Sequence, residues 1–249
     1  MLGKDRAKKL AKLATGKGRR EQDRILLDSL PLVERALELG ALEEVIVEEG
    51  RHEDLVARAA ASGVIVTPAI ADVLRKVAGV ETSPGVVGVG RRRPPVDLAT
   101  LAARPRLRLV YCERISDPGN LGTIARAAAA FGFDALVASE GSADPESPKA
   151  LRASAGAFLH LPWARAELEE AVESLGDVLV YRTVVRGGKP LRTLAPAARA
   201  LLWLGNEAQG VTSAPPGLRV EDLSIEMSSE VESLNVGAAA AILCHALFE

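Results

Sequence analysis

Cysteine, histidine and long apolar runs are scarce in this 249-residue sequence. Two cysteines, Cys112 in an apolar strand-like run and Cys244 in the last apolar stretch, cannot build a disulfide framework and read as reduced, buried thiols. The three histidines, His52, His160 and His245, are scattered and share no metal-ligand spacing with the cysteines, so no metal site is expected. Lys and Arg interrupt every apolar stretch near the start. The most apolar segment, Val236 to Phe248, falls short of the ~18 residues a bilayer span needs and carries His245. Neither a signal peptide nor a membrane span is expected; a cytoplasmic protein is. The 22 glycines and 14 prolines follow no repeat, and 48% apolar with 26% charged residues excludes a disordered or collagen-like chain. No Gly-Lys-Ser or Gly-Lys-Thr phosphate loop occurs. Gly85-Val86-Val87-Gly88-Val89-Gly90 has the wrong spacing for a dinucleotide fingerprint and leads into Arg-Arg-Arg-Pro-Pro rather than a helix.

Net charge is also scarce. The chain carries 31 Lys and Arg against 33 Asp and Glu, a total of −2, which averaged over the molecule argues against a nucleic-acid partner. Locally the balance differs. Residues 1 to 25 hold nine bases, including Lys8, Lys9, Lys12, Lys17, Arg19 and Arg20, against three acids, a local charge of +6 that leaves −8 on the other 224 residues. A second cluster, Arg91-Arg92-Arg93, precedes Pro94-Pro95. Such segments track a phosphate backbone or form a solvated basic face, and charge alone does not choose between them.

Hydropathy divides the chain in two. Residues 1–90 read as a small α/β unit, with helical spacing from Leu32 to Leu39, His52 to Ala61 and Ile70 to Val77, and strand-like runs at Val45 to Val47, Val64 to Val66 and Gly85 to Gly90. Residues 91–106, with paired prolines and a short helical candidate around Leu98 to Ala102, read as an extended linker. From 107 to 249, apolar strands at Leu107 to Cys112, Ala135 to Val137, Val178 to Val180, Ala200 to Leu204 and Leu223 to Ile225 mix with helices at Leu121 to Phe131, Glu167 to Leu175 and Ser233 to Leu247. Strands apolar on both faces predict a mostly parallel sheet covered on both sides, whose ligands sit beyond the carboxyl ends of strands.

Three loops follow such ends. Asp117-Pro118-Gly119-Asn120-Leu121-Gly122 is turn chemistry, with Asn120 placed to cap the next helix and Thr123 and Arg126 off its core stripe. Arg126 is either a solvent-facing residue or a cation for a phosphate or developing oxyanion. Leu204-Gly205-Asn206-Glu207-Ala208-Gln209-Gly210 brackets an acid with glycines, which suits close backbone approach to a ligand and equally suits a plain turn. The third, Ile225 to Gly237, opens an apolar helix with Ser233-Leu234-Asn235, where Ser233 could cap it.

These loops, in this order, resemble the three motifs of the SpoU (TrmH) branch of the SPOUT methyltransferases, and Arg152-Ala153-Ser154-Ala155-Gly156-Ala157 resembles a family segment between the first two. The resemblance covers residues 107 to 249 and, more weakly, the small α/β RNA-binding domain many members carry. It implies a C-terminal trefoil knot, which patterning alone argues against, and S-adenosylmethionine bound there. It further implies a homodimer acting on RNA, ribosomal ahead of transfer, with Arg91 to Arg93 and the N-terminal bases gripping phosphates. Asn120, Arg126, Glu207, Ser233 and Asn235 would carry the ribose chemistry. Gly205, Asn206, Ile225, Met227, Leu234 and Asn235 would hold the cofactor. Glu226, Ser229 and Gly237 depart from the usual Pro, Gly and Ser, and Ile25 to Ser29 from the usual Glu-Gly pair.

The expected activity is methyl transfer to a ribose 2′-hydroxyl. That displacement needs an aligned and partly deprotonated hydroxyl. No histidine lies in any motif, so Arg126 is either an unusual base or a cation stabilising the alkoxide while a phosphate or water takes the proton. A non-catalytic RNA-binding or assembly protein, and methylation of a base instead of ribose, are the alternatives.

Overall fold

The computed structural model describes residues 1–206 and 210–248. The chain divides into two units, Met1–Pro94 with Glu146–His160, and Pro95–Pro145 with Leu161–Glu249. In the first, helices α1 (Lys4–Ala11) and α2 (Gly16–Gln22) lead into β1 (Arg24–Leu27), α3 (Leu30–Glu38), β2 (Leu42–Glu48), α4 (Glu53–Ala61), β3 (Ile65–Ala69), α5 (Ala71–Ala78) and β4 (Val86–Arg91). The strands form one sheet in the order β1-β4-β2-β3, with β4 antiparallel to both neighbours and β2 parallel to β3. Val87 and Val89 of β4, Ile46 of β2 and Leu26 of β1 share an apolar cluster with Leu10 of α1 and Leu74 and Val77 of α5, so these two helices cover one face.

The chain continues with β5 (Leu107–Cys112), α6 (Pro118–Ala130), β6 (Ala135–Ala138), α7 (Pro148–Ala153), β7 (Trp163–Arg165), α8 (Leu168–Leu175), β8 (Leu179–Thr183), β9 (Lys189–Pro190), β10 (Arg199–Leu204), β11 (Val220–Ser224) and α9 (Val236–Phe248). Seven strands make the second sheet in the order β7-β6-β5-β10-β8-β11-β9, and each described pairing is parallel. Every residue of β5 is buried, as two covered faces require. Leu107, Leu109 and Tyr111 join Trp203, Val180 and Leu201 in a core closed by Leu168, Ala171 and Leu175 of α8. Helices α6 and α9 pack against each other.

The stretch 91–106 is not an extended linker. Arg91 ends β4, Arg92 Nε donates to Glu146 Oε2 at 2.7 Å, and Arg93 Nη1 donates to the Leu159 carbonyl at 2.9 Å. Past the prolines, Val96 N–H donates to the Trp163 carbonyl at 2.8 Å, and a 3-10 turn at Leu98–Leu101 buries both leucines in the core of the second sheet. The boundary falls between Pro94 and Pro95. Residues 146–160, expected with the second domain, cluster with the first, because Arg152 of α7 pairs with buried Asp28 and Gly156 lies against Leu32 and Arg35.

Both helix starts at the motif loops also differ from expectation. Asp117, not Asn120, caps α6 by accepting the Asn120 N–H at 3.0 Å, with Pro118 at the first helical position. Asn235, not Ser233, caps α9: its Oδ1 accepts the N–H groups of Gly237 at 2.9 Å and Ala238 at 3.3 Å. Three short edge strands, β1, β7 and β9, have no counterpart in the sequence reading.

Candidate active site

Parallel strands all end on the same side, and the crevice opens where the strand order reverses. Here β5 and β10 are adjacent, with Cys112 paired to Leu204, and their following loops start side by side. A cavity lies at the carboxyl ends of β8, β10 and β11. It is lined by Thr183 to Val185 after β8, by Leu204, Gly205, Asn206, Gly210 and Val211 around β10, and by Leu223, Ile225 and Met227 after β11. Ser233 and Leu234, then Val236, Ala239 and Leu243 of α9, close it.

Asn120 and Asn235 stand beside this cavity. Because Asp117 supplies the cap of α6, the Asn120 side chain is released to accept from Asn235 Nδ2 at 3.1 Å. The other end of Asn235 is fixed by capping α9, so this one amide ties the start of α9 to the start of α6. Thr123 faces Gly237 in the same seam, and Arg126 projects one turn further along that face of α6, exposed.

Sequence reasoning missed Glu113. It directly follows β5, is 6% exposed, and accepts from Trp203 Nε1 at 2.9 Å, the Thr212 N–H at 3.0 Å and Arg114 Nη2 at 2.7 Å. Burial pushes its carboxyl up, but the donors from Thr212, Arg114 and Trp203 prevail and hold it below the ordinary value of 4.5. Its stabilising contribution is therefore complete above 4.5 and lost only as pH falls through the lower folded value. The only signal in the sequence was an acid at the end of an apolar strand. The two thiols behave as expected: burial raises Cys112, with Cys244 nearby adding to it, and burial pushes Cys244 up to about 12, so neither is a nucleophile.

The departures from the family pattern have structural partners. Glu226 pairs with Arg192 at 3.0 Å, which ties the loop after β11 to the segment after β9. The Ser229 carbonyl accepts from Arg186 Nη2 at 3.5 Å. A Cβ on Gly237 would come within 2.7 Å of Thr123 Cγ2 and 3.1 Å of Asn235 Oδ1, so glycine here is matched to threonine there. Gly237→Ser is expected to destabilise the protein by about 1–3 kcal/mol through overpacking. Adding Thr123→Ala should recover part of that loss. Urea unfolding of the single and double variants checks this coupling.

Of the expected site residues, Gly205, Asn206, Ile225, Met227, Ser233 and Leu234 line this cavity. Asn120 and Asn235 form the amide pair, and among the described residues no acid pairs with Arg126. Glu207 lies outside the described residues. The expected phosphate grip needs correction. Arg19 is 2% exposed and donates to the carbonyls of Leu13 and Ala14, satisfying groups left open where the 3-10 turn ends. Arg92 is largely buried against Glu146. Lys8, Lys9 and Lys12 line a groove with Arg24, Gln22 and two acids, Asp5 and Glu21, while Lys17, Arg20, Arg91 and Arg93 are exposed.

The cavity suits an adenosyl group. Leu204, Ile225, Leu234 and Val236 offer apolar surface to a flat heterocycle, Gly205, Asn206 and Gly210 bring backbone polar groups beside it, and Gly205 leaves no room there for a Cβ. Among the described residues, no group of His, Cys, Asp and Glu could hold a metal ion, and no helix is long and apolar enough to cross a membrane.

Comparison with known proteins agrees with this geometry. The family model of the SpoU rRNA Methylase family matches residues 107–245. The chain is 33% identical over 239 residues to 23S rRNA (guanosine(2553)-2′-O)-methyltransferase RlmP of Bacillus subtilis, covering 95% of this chain and 93% of that one. It superposes with TM-score 0.82 on an AdoMet-bound rRNA methyltransferase from Sinorhizobium meliloti, 26% identical, covering 99% of this chain and 95% of that one. With the SpoU methyltransferase AviRb of Streptomyces viridochromogenes, in complex with AdoMet, the TM-score is 0.83 at 25% identity, covering 99% and 97% of the two chains.

Proposed function

The chain belongs to the SpoU rRNA Methylase family, and from that premise we propose that it methylates a ribose 2′-hydroxyl in ribosomal RNA. The activity is S-adenosylmethionine-dependent ribose 2′-O-methylation of RNA. The observation that carries the reading is that residues expected at the cofactor meet in one cavity, with the Asn120–Asn235 pair beside it.

S-adenosylmethionine, when bound, supplies an electrophilic methyl group on a sulfonium. The chain's part is to hold, align and deprotonate the acceptor. Leu204, Ile225 and Leu234 would enclose the adenine, and the backbone around Gly205 and Asn206 would meet the polar atoms of the cofactor's adenosyl group. The 2′-hydroxyl would be oriented by Asn120, whose amide is fixed through Asn235. Arg126, exposed on the same face of α6 as Thr123, would either take the hydroxyl proton or stabilise the oxyanion while an RNA phosphate or water takes it.

In the same reading, the unit of Met1–Pro94 with Glu146–His160 is the RNA-binding part, and the second unit carries the chemistry. A trefoil knot over 107–249 belongs to the same proposal and rests on the match to the family model over residues 107–245. Ile242 at 42% and Phe248 at 52% exposure leave apolar surface on α9 that supports a homodimer. A cytoplasmic location accompanies an rRNA substrate.

Calorimetry tests the cofactor, and mapping of methylated riboses in RNA from a strain lacking the gene tests the target. A missing ribose methyl in ribosomal RNA is expected. No binding at millimolar S-adenosylmethionine would refute the activity. For the grip, neutralising Lys8, Lys9, Lys12 and Arg20 should lower the slope of log K against log salt by about 0.7–0.9 for each phosphate no longer engaged, with cofactor affinity unchanged. Arg19→Ala should instead destabilise the first unit, since it removes a buried donor.

A further inference from the structure

Glu113 has no role in the ribose chemistry above, yet it is buried where two of the three motif loops begin. Three donors converge on its carboxylate. Oε2 accepts from Trp203 Nε1 at 2.9 Å and from the Thr212 N–H at 3.0 Å; Oε1 accepts from Arg114 Nη2 at 2.7 Å. Trp203 lies in β10 immediately before Leu204 and Gly205, and Thr212 immediately follows Gly210 and Val211. One oxygen thus ties together the two ends of the loop 205–211. The backbone reinforces the tie, because Glu113 N–H donates to the Leu204 carbonyl at 2.8 Å and Asn206 Nδ2 to the Arg114 carbonyl at 2.9 Å. Arg114 is held with φ +49, a left-handed conformation that a non-glycine residue keeps only when its surroundings fix it.

We infer that Glu113 is a positioning residue for the cofactor: its carboxylate clamps the loop whose residues Gly205, Asn206, Gly210 and Val211 wall the cavity. The inference rests on reading that cavity as the S-adenosylmethionine site. The clamp requires an ion and not merely a polar group. A glutamine could still offer one oxygen to Trp203 and Thr212, but its NH2 would then oppose the Arg114 guanidinium, donor against donor. Either Arg114 or the end of the loop must give way. The acceptor side of the site, Asn120 with Asn235, is on the other loops and keeps its own hydrogen bond.

The test is steady-state kinetics of the full chain with RNA and S-adenosylmethionine, paired with calorimetry. Glu113→Gln is expected to raise KM and Kd for S-adenosylmethionine at least tenfold while kcat stays within about threefold, with KM for RNA unchanged. Adding Arg114→Gln supplies a side-chain carbonyl for the new amide and should recover most of the cofactor affinity, a rescue that general destabilisation would not give. Should Glu113→Gln not fold, Arg114→Gln alone, at the exposed rim, is expected to raise KM for the cofactor about threefold. Wild-type protein that fails to bind S-adenosylmethionine would overturn the cofactor reading and the clamp with it. Wild-type binding with Glu113→Gln affinity within twofold, or an unchanged KM in Arg114→Gln, would overturn the clamp alone.

Discussion

Gly205→Ala is expected to weaken S-adenosylmethionine binding by on the order of 100-fold, the equivalent of roughly 3 kcal/mol of overpacking expressed at the cavity wall. A Cβ there would stand 2.2 Å from the Gly210 carbonyl oxygen, 2.3 Å from its carbon and 2.4 Å from the Val211 nitrogen. Those atoms belong to backbone and cannot rotate away as a side chain would. On one side, Leu204 is locked to Cys112 in the central ladder, and its carbonyl accepts the Glu113 N–H at 2.8 Å. On the other, Gly210 N–H donates to the Asn206 carbonyl at 2.7 Å, closing the loop on itself. The added methyl must therefore displace Gly210 and Val211, which line the cavity. Calorimetry with a parallel thermal melt separates impaired binding from impaired folding. Affinity within threefold of wild type would show that this wall is not where the cofactor rests.

Arg126→Ala is expected to lower kcat by about 10²–10⁴ with cofactor affinity unchanged, the range that loss of a general base or an oxyanion stabiliser produces. The side chain is exposed on α6, one turn beyond Thr123, where it can meet RNA or a developing alkoxide. Arg126→Lys distinguishes the two roles. If Arg126 stabilises charge, lysine keeps part of the rate and leaves the shape of the pH-rate profile intact. If Arg126 accepts the proton, lysine shifts the profile, because an ammonium releases its proton more readily than a guanidinium. Wild-type kcat in Arg126→Ala would remove Arg126 from the chemistry altogether.

The sequence carried the loops that line the cavity more completely than the residues that support them. Glycine, Asp-Pro-Gly and a polar opening to an apolar helix are local signals, and the loops they mark meet as strand-end loops of a parallel sheet must. Glu113 was invisible because its burial depends on donors from Trp203 and Thr212, residues on another strand and loop. Arg19 failed for a related reason: in a run of bases it reads as solvated, whereas two carbonyls at the end of a 3-10 turn draw it inside. Residues 146–160 were assigned by their neighbours in sequence, while the Arg152–Asp28 ion pair places them with the first unit. The helix caps were misplaced by two or three residues, although Pro118 after Asp117 was a usable sign of where α6 begins.

Global charge misled in the opposite direction. A total of −2 averages unlike regions: Asp222 pairs with Arg182 far from the N-terminal bases, while within that basic segment Arg6 pairs with Glu44, Lys17 with Glu21 and Arg24 with Glu43. Steering of RNA responds to the local field, and Lys8, Lys9 and Lys12 remain together in one groove.

Incubating the purified protein with ribosomal RNA and methyl-labelled S-adenosylmethionine, then digesting the RNA to nucleosides, tests the central claim most directly. Label is expected in a 2′-O-methylated nucleoside, reduced to background by Arg126→Ala. Label confined to a methylated base, or no label from protein that binds the cofactor, would contradict it.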